Sequence, residues 1–283
     1  MLSQLESLMR PPAGLDVDFT APPGAAALAP AGGVSWRVFA NPVSLFIGGV
    51  AAVLLELAEP SVRSGVWDHS GFRRDPAARL HRTGFAAMVT VYAPRAEAER
   101  VIARVVAAHG RVRGHTPEGL PYHANDPRLL DWVQATAVFG FTMAFHTYAQ
   151  ALSPEQRDAA FAEGQPAARL YGATQAPRHW AEWEALLART APTLQGHAIL
   201  GEFLDIMQTA AILPRPLRGL QRLLVRAAVQ ITPEPVRSLP QLQGRGLRKG
   251  EAVLVRVLGR LARAVPLRSL PPAQAARRMG VSL

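Results

Sequence analysis

Hydrophobic positions along the chain recur every three to four residues, the period of an α-helix, in one segment after another. The longest apolar run, Val43 to Ala58, follows the turn signal Asn41-Pro42 and is ended by Pro60, so it predicts a buried core helix. Glu56 is the one charge inside it. Ser61 to Asp75 is mixed and polar. Pro76 then opens a helix on which Arg79, Arg82, Thr83, Ala86 and Thr90 share a face, and Pro94 opens another that ends at His109. Asp126-Pro127 supplies an N-cap and a first-turn proline for a helix running to about Ala151, with Leu129, Trp132, Val133, Thr136 and Phe139 on its apolar side. Ser153-Pro154-Glu155 starts the next, ending near Gly172, and Pro177–Arg189 and Thr193–Leu213 predict two more.

Two further helices, Arg215–Ile231 and Gly250–Ala264, carry arginines on one face and leucines on the other. The expectation for both is a solvated basic face, with leucines such as Leu254, Leu258 and Leu261 packed on the core. No β-branched alternation bounded by turns and no internal repeat is found. The pattern is that of an all-α protein of roughly eight to ten helices. It divides into a flexible Pro/Gly/Ala-rich leader or extended arm (1–34), a helical domain (35–213) and a basic helical extension packed on the same domain (214–283).

Composition narrows the chemistry. At 283 residues, 49% hydrophobic and 18% charged, the chain is globular with ample core. It has no cysteine, which excludes disulfides, thiolate catalysis, iron–sulfur clusters and thiolate-ligated haem. Any metal is therefore held by His, Asp, Glu or Tyr, or arrives inside a cofactor.

The net charge of +10 is uneven: residues 214–283 carry 14 Lys+Arg against only Glu234 and Glu251, a net +12, and the rest sums to −2. Nucleic acid is not the expected partner, because aromatics do not interleave with these arginines and no DNA-binding motif is present. Peripheral contact of the basic helices with a membrane surface, or with another anionic partner in a purely binding protein, stays open. The N-terminus lacks a basic segment followed by an apolar core, and the Val43–Ala58 run is shorter than a span of about 20 residues, so a cytoplasmic protein is expected.

Candidate ligands are few. Val101, Ile102, Val105 and Val106 form a helical stripe that His109 continues, so His109 points from an apolar face toward the interior just before Gly110. A neutral imidazole in a dry space is a good ligand for haem iron, and equally a satisfied core histidine. His146, deep in the apolar FGFTMAFHTY segment, is its rival; His115 and His123 lack the i, i+4 spacing of a helical metal site. Asp126 reads as an N-cap and Glu163 as a charge partner for an arginine. No phosphate-binding glycine loop, Gly-x-Ser-x-Gly elbow or His-Glu-x-x-His motif occurs.

The order of several short motifs adds to this. Arg79-x-x-Arg82-Thr83 is followed by His109-x-x-Val112-x-Gly114, then by Tyr122-x-Ala124-x-Asp126-Pro127, Leu130-x-Trp132-Val133, and Leu152-Ser153 with Glu155 and Glu163. In this the chain resembles the catalytic domain shared by rubber oxygenases (latex-clearing proteins) and mpaB-type oxygenases, from about Trp36 to Leu213. The resemblance implies a globin-like helical core around b-type haem, His109 as the proximal iron ligand, and Arg79 and Thr83 lining the distal pocket. Beside that resemblance, Arg79, Arg82 or Thr83 could supply the polar group that iron-bound dioxygen needs, Arg79 and Thr83 being equally readable as a buried structural network. Arg111 and Arg113 could bind haem propionates or form a solvated turn, Trp132 reads as core that could touch the haem, and the expected substrate is small and hydrophobic.

Two departures separate this chain from the rubber-cleaving members. They have lysine where Arg82 stands, and arginine is a poor metal ligand. No glutamate occurs in Ser61–Asp75, where their catalytic base would be sought, so polyisoprene cleavage is not implied. A haem-binding or haem-sensing protein without turnover is the alternative reading.

Overall fold

The computed structural model describes residues 15–263 and 269–281. The protein is all-α. Its spine is an antiparallel pair: α2 (Pro42–Ala58), preceded by the short α1 (Val34–Phe39), and α6 (Pro127–Tyr148). Asn41 caps α2, accepting from the N–H groups of Val43 and Ser44, and Asp126 caps α6, accepting from that of Arg128. The two helices touch backbone to backbone. A Cβ on Gly48 would lie 2.6 Å from Phe141 Cα, and one on Gly140 would lie 2.5 Å from Gly48 O. No other residue type fits that crossing.

Between these helices the chain forms α3 (Pro60–His69), α4 (Pro76–Tyr92), α5 (Arg95–His109) and a hairpin of β1 (Arg113–His115) and β2 (Pro121–His123). The polar segment after Pro60 is thus largely helical. Glu59 turns the chain by 111° and caps α3, its Oε2 accepting from Val62 N at 2.7 Å. The hairpin pairs Arg113 with His123 and Gly114 with Tyr122, and its strands are too short to show alternation in the sequence.

After α6 come α7 (Pro154–Tyr171), α8 (Trp180–Thr190), α9 (Ala198–Thr209), α10 (Arg218–Ile231), the single turn α11 (Glu234–Arg237), α12 (Glu251–Arg263) and α13 (Pro271–Met279). α7 begins with a capping box between Ser153 and Gln156. α10 buries Leu223, Leu224, Val225, Ala227 and Ala228 in the same core as α2, so the basic C-terminal portion is built into the body.

Residues 15–33 are extended but firmly packed. Phe19 and Leu28 are buried with Phe85 and Tyr92, and the buried Arg278 of α13 donates to the carbonyls of Phe19, Ala25 and Tyr92 at 2.9, 2.9 and 2.8 Å. The arm expected for this region is therefore a fixed one over these residues, while residues 1–14 of the expected leader lie outside the described part. No single helix among the described residues is long and apolar enough to cross a membrane.

One expectation fails. α12 docks through Val255 and Gly259, and leaves Leu254 and Leu261 in solvent; only Leu258 turns partly inward. The smallest residue decides the face: a Cβ on Gly259 would collide with Tyr148 O, and its carbonyl accepts from Asn41 Nδ2 at 2.8 Å. Close backbone approach outweighs the leucine stripe.

Candidate functional site

His109 is the last residue of α5, where Val101 and Ile102 anchor the helix in the core. Its ring is half-buried, and Nδ1 is enclosed without a hydrogen-bond partner. Burial, and then the positive charge of Arg79, hold its pKa below the ordinary 6.5, so the imidazole is neutral at neutral pH.

Arg79 stands near the start of α4, whose N-cap is Asp75. Its Nη1 donates to Thr83 Oγ1 at 2.6 Å, and that hydroxyl donates on to Arg79 O at 2.9 Å. The two residues form one locked unit on one helix face. Burial lowers the guanidinium's pKa and the negative charge of Glu56 opposes the shift; an arginine keeps its charge throughout.

Glu56 completes the recess from α2, and the sequence reading assigned it no role. Glu56 is partly buried, and its carboxyl is desolvated by the protein around it. Desolvation pushes its pKa up to about 7, against the pull of Arg79 and a hydrogen bond from Thr136 of α6. A lone carboxyl in an otherwise apolar helix was the available signal. Phe46, Gly49, Val53 and Glu56 recur every three to four residues and are each half-buried, while the rest of α2 from Ile47 to Ala58 is buried. These four share the less covered face of α2.

Arg79, Thr83 and His109 are thus brought to one region, with Glu56 and Thr136. Arg82 and Thr83 are exposed at its rim, and Arg82 adds positive charge beside Arg79. Arg113 lies exposed on β1, and Arg111 is exposed in the preceding turn. Trp132 is turned into the core: Nε1 donates to Leu55 O at 3.3 Å and the ring stacks on Trp183.

Of the other histidines, His146 uses Nδ1 to accept from Leu152 N at 2.9 Å, which ties down the α6–α7 connection. His115 and His123 are exposed on the hairpin. His81, two residues from Arg79, has a buried Nε2 without a partner. Glu163 caps a distant helix, accepting from Val34 N and Ser35 N at 2.9 and 2.7 Å; its partners are backbone donors in place of the arginine expected. In the segment without glutamate, Arg63 is buried, with Nη1 on Leu57 O at 3.3 Å and Nη2 unpartnered. A surface cleft of about 1030 Å³ between the N-terminal arm and α13 holds none of these residues.

Among the described residues, no group of three or more His, Asp or Glu is placed to hold a bare metal ion. The recess offers instead one neutral imidazole, one fixed cation and one carboxyl that exchanges its proton near neutrality. Residues 36–264 match the family model described as ER-bound oxygenase mpaB/B'/Rubber oxygenase, catalytic domain. No curated protein and no solved structure matches the chain.

Proposed function

Because the chain belongs to the mpaB/rubber oxygenase catalytic-domain family, we propose that it is an oxidoreductase that binds b-type haem and uses dioxygen on a hydrophobic organic substrate. The observation that carries the haem reading is His109, a neutral ring with an orphaned, enclosed nitrogen beside a guanidinium. One imidazole is a sufficient protein ligand only for a metal that brings its in-plane ligands with it. When bound, the haem supplies the iron at which dioxygen is activated.

The chain's own residues divide the remaining work. His109 would hold the haem iron through its neutral imidazole. Arg79, held in place by Thr83, presents N–H donors and a permanent charge to negative charge developing in the recess. Glu56 holds or gives up a proton at its carboxyl oxygen near neutral pH, and the state it adopts is biased by Arg79. Arg82, exposed at the rim, suits a carboxylate such as a haem propionate better than a metal. Phe46, Gly49 and Val53, on the same less covered face of α2 as Glu56, offer apolar surface to a hydrophobic substrate.

The test is the absorption spectrum of the haem-supplemented protein beside that of His109→Ala. Wild type is expected to retain haem with a Soret band, and the variant to lose haem or shift the band. Equal retention with an unchanged spectrum overturns His109 as the ligand. Haem retention without dioxygen consumption across hydrophobic substrates overturns the oxygenase reading alone.

A further inference from the structure

α12 is fastened to the body along a narrow line. Gly259 rests on the backbone of Tyr148 and Ala149, Val255 is buried beside it, and Arg226 of α10 grips Glu251 through bonds of 2.9 and 2.7 Å. The opposite side carries Val253, Leu254, Val257 and Leu261, which are 60, 51, 45 and 60% exposed. At helical spacing these four fall within an arc of about 100°. Isolated apolar side chains are normal on a protein surface, but a contiguous strip on one helix marks an interaction face.

Beside that strip on the helix circumference runs a row of arginines, Arg256, Arg260 and Arg263, all exposed. None of the three forms a salt bridge among the described residues. The only acid on α12, Glu251, is already neutralised by Arg226. An exposed apolar strip bordered by unpaired cations is the surface of a helix that lies in a lipid–water interface.

We propose that α12 docks this protein on an anionic bilayer, with Val253, Leu254, Val257 and Leu261 inserted below the headgroups and Arg256, Arg260 and Arg263 on the lipid phosphates. Charge selects this occupant. A second copy meeting the same face antiparallel about a two-fold axis brings the two arginine rows together, a like-charge contact, and in a parallel pair α12 has no free acid to offer them, since Glu251 is held by Arg226. Nucleic acid would satisfy the arginines and leave the apolar strip in water. The proposal does not depend on haem or on turnover.

The experiment is co-sedimentation of the full-length protein with vesicles of phosphatidylcholine alone or mixed with phosphatidylglycerol. Sedimentation with the anionic vesicles, weakened by salt, is expected. Leu254→Ser combined with Leu261→Ser touches only exposed positions, so the circular dichroism and thermal midpoint should stay as in wild type while vesicle affinity falls about tenfold or more. Neutralising each arginine to glutamine should cost about fivefold. Failure to sediment with anionic vesicles, or equal sedimentation of the double variant, overturns the proposal. So does a wild-type dimer in sedimentation velocity that the double variant makes monomeric, with neither protein bound to vesicles.

Discussion

The guanidinium of Arg79 and the carboxyl of Glu56, from α4 and α2, lie within electrostatic reach of each other, yet burial outweighs their attraction and the carboxyl titrates near 7. A cation normally pulls a neighbouring carboxyl's pKa down. Here the surrounding protein costs the carboxylate more hydration than Arg79 and Thr136 return. The recess therefore holds a group whose charge changes close to physiological pH, next to one whose charge never does.

This has a consequence for stability. The folded pKa of Glu56 lies above the ordinary 4.5, so the folded state keeps a proton that the unfolded chain releases. The stabilisation is fully present below pH 4.5 and is lost as pH rises through about 7. Glu56→Gln is neutral throughout and has nothing to lose. Relative to that variant, wild type should give up as much as about 3 kcal/mol between about pH 5 and about pH 8. Urea denaturation of both proteins at the two pH values measures it. Parallel pH profiles would remove Glu56 from a desolvated site.

Arg79 repels a proton from His109 and stabilises the carboxylate of Glu56. Replacing it with glutamine removes both effects, so both pKa values should rise. The imidazole carbon-bound protons of His109 report this directly in an NMR titration of Arg79→Gln against wild type. Thr83→Val keeps the charge and loses only the tether of Arg79 Nη1, so its effect on the His109 titration should be the smaller. An unmoved His109 titration in Arg79→Gln would separate the two residues and dissolve the proposed recess.

Much of this fold was legible because proline and capping residues mark helix starts chemically. Asn41-Pro42, Asp75-Pro76, Asp126-Pro127 and Ser153-Pro154 each begin a helix where the sequence places it. α3 was hidden because its polar composition masks the Glu59-Pro60 start, and the hairpin was hidden because each strand has three residues. His109 and Arg79 were named from the sequence. Glu56 was not, because its importance comes from what α4 and α6 bring to it across the fold, and no local pattern encodes that. The outward face of α12 was misread for a related reason. Periodicity counts leucines, whereas packing followed Gly259 onto Tyr148.

The α2–α6 crossing makes a sharper demand than composition suggests. Gly48→Ala and Gly140→Ala each force a methyl into backbone at the crossing, and should each cost about 1–3 kcal/mol of overpacking in urea or thermal denaturation. Gly49→Ala is the internal control. Its Cβ would meet the Phe141 ring at 3.7 Å, an ordinary contact, so the change should be neutral or stabilising by about 0.5–1 kcal/mol from helix propensity. Equal destabilisation by all three would mean that glycine matters here for flexibility and not for closeness.

Arg278 closes the fold at its far end. Its three bonds reach carbonyls of the N-terminal arm and of the end of α4, joining residues up to 259 positions apart. Burial lowers its pKa, against the charge of Asp18, but an arginine stays protonated, so the planar guanidinium serves all three acceptors at once. Arg278→Met keeps the aliphatic stem and strands three carbonyls, each at about 1–3 kcal/mol if no water replaces the donor. Water is available at the surface arm, so the structure should yield there first. We expect a loss of about 2–4 kcal/mol overall, with residues 15–33 gaining hydrogen exchange while α2 and α6 stay protected. Arg278→Lys should recover only part of this, because one ammonium cannot span three divergent carbonyls. If exchange in the arm is the same in Arg278→Met and wild type, the arm is held by Phe19 and Leu28 alone, and the arginine is not its latch.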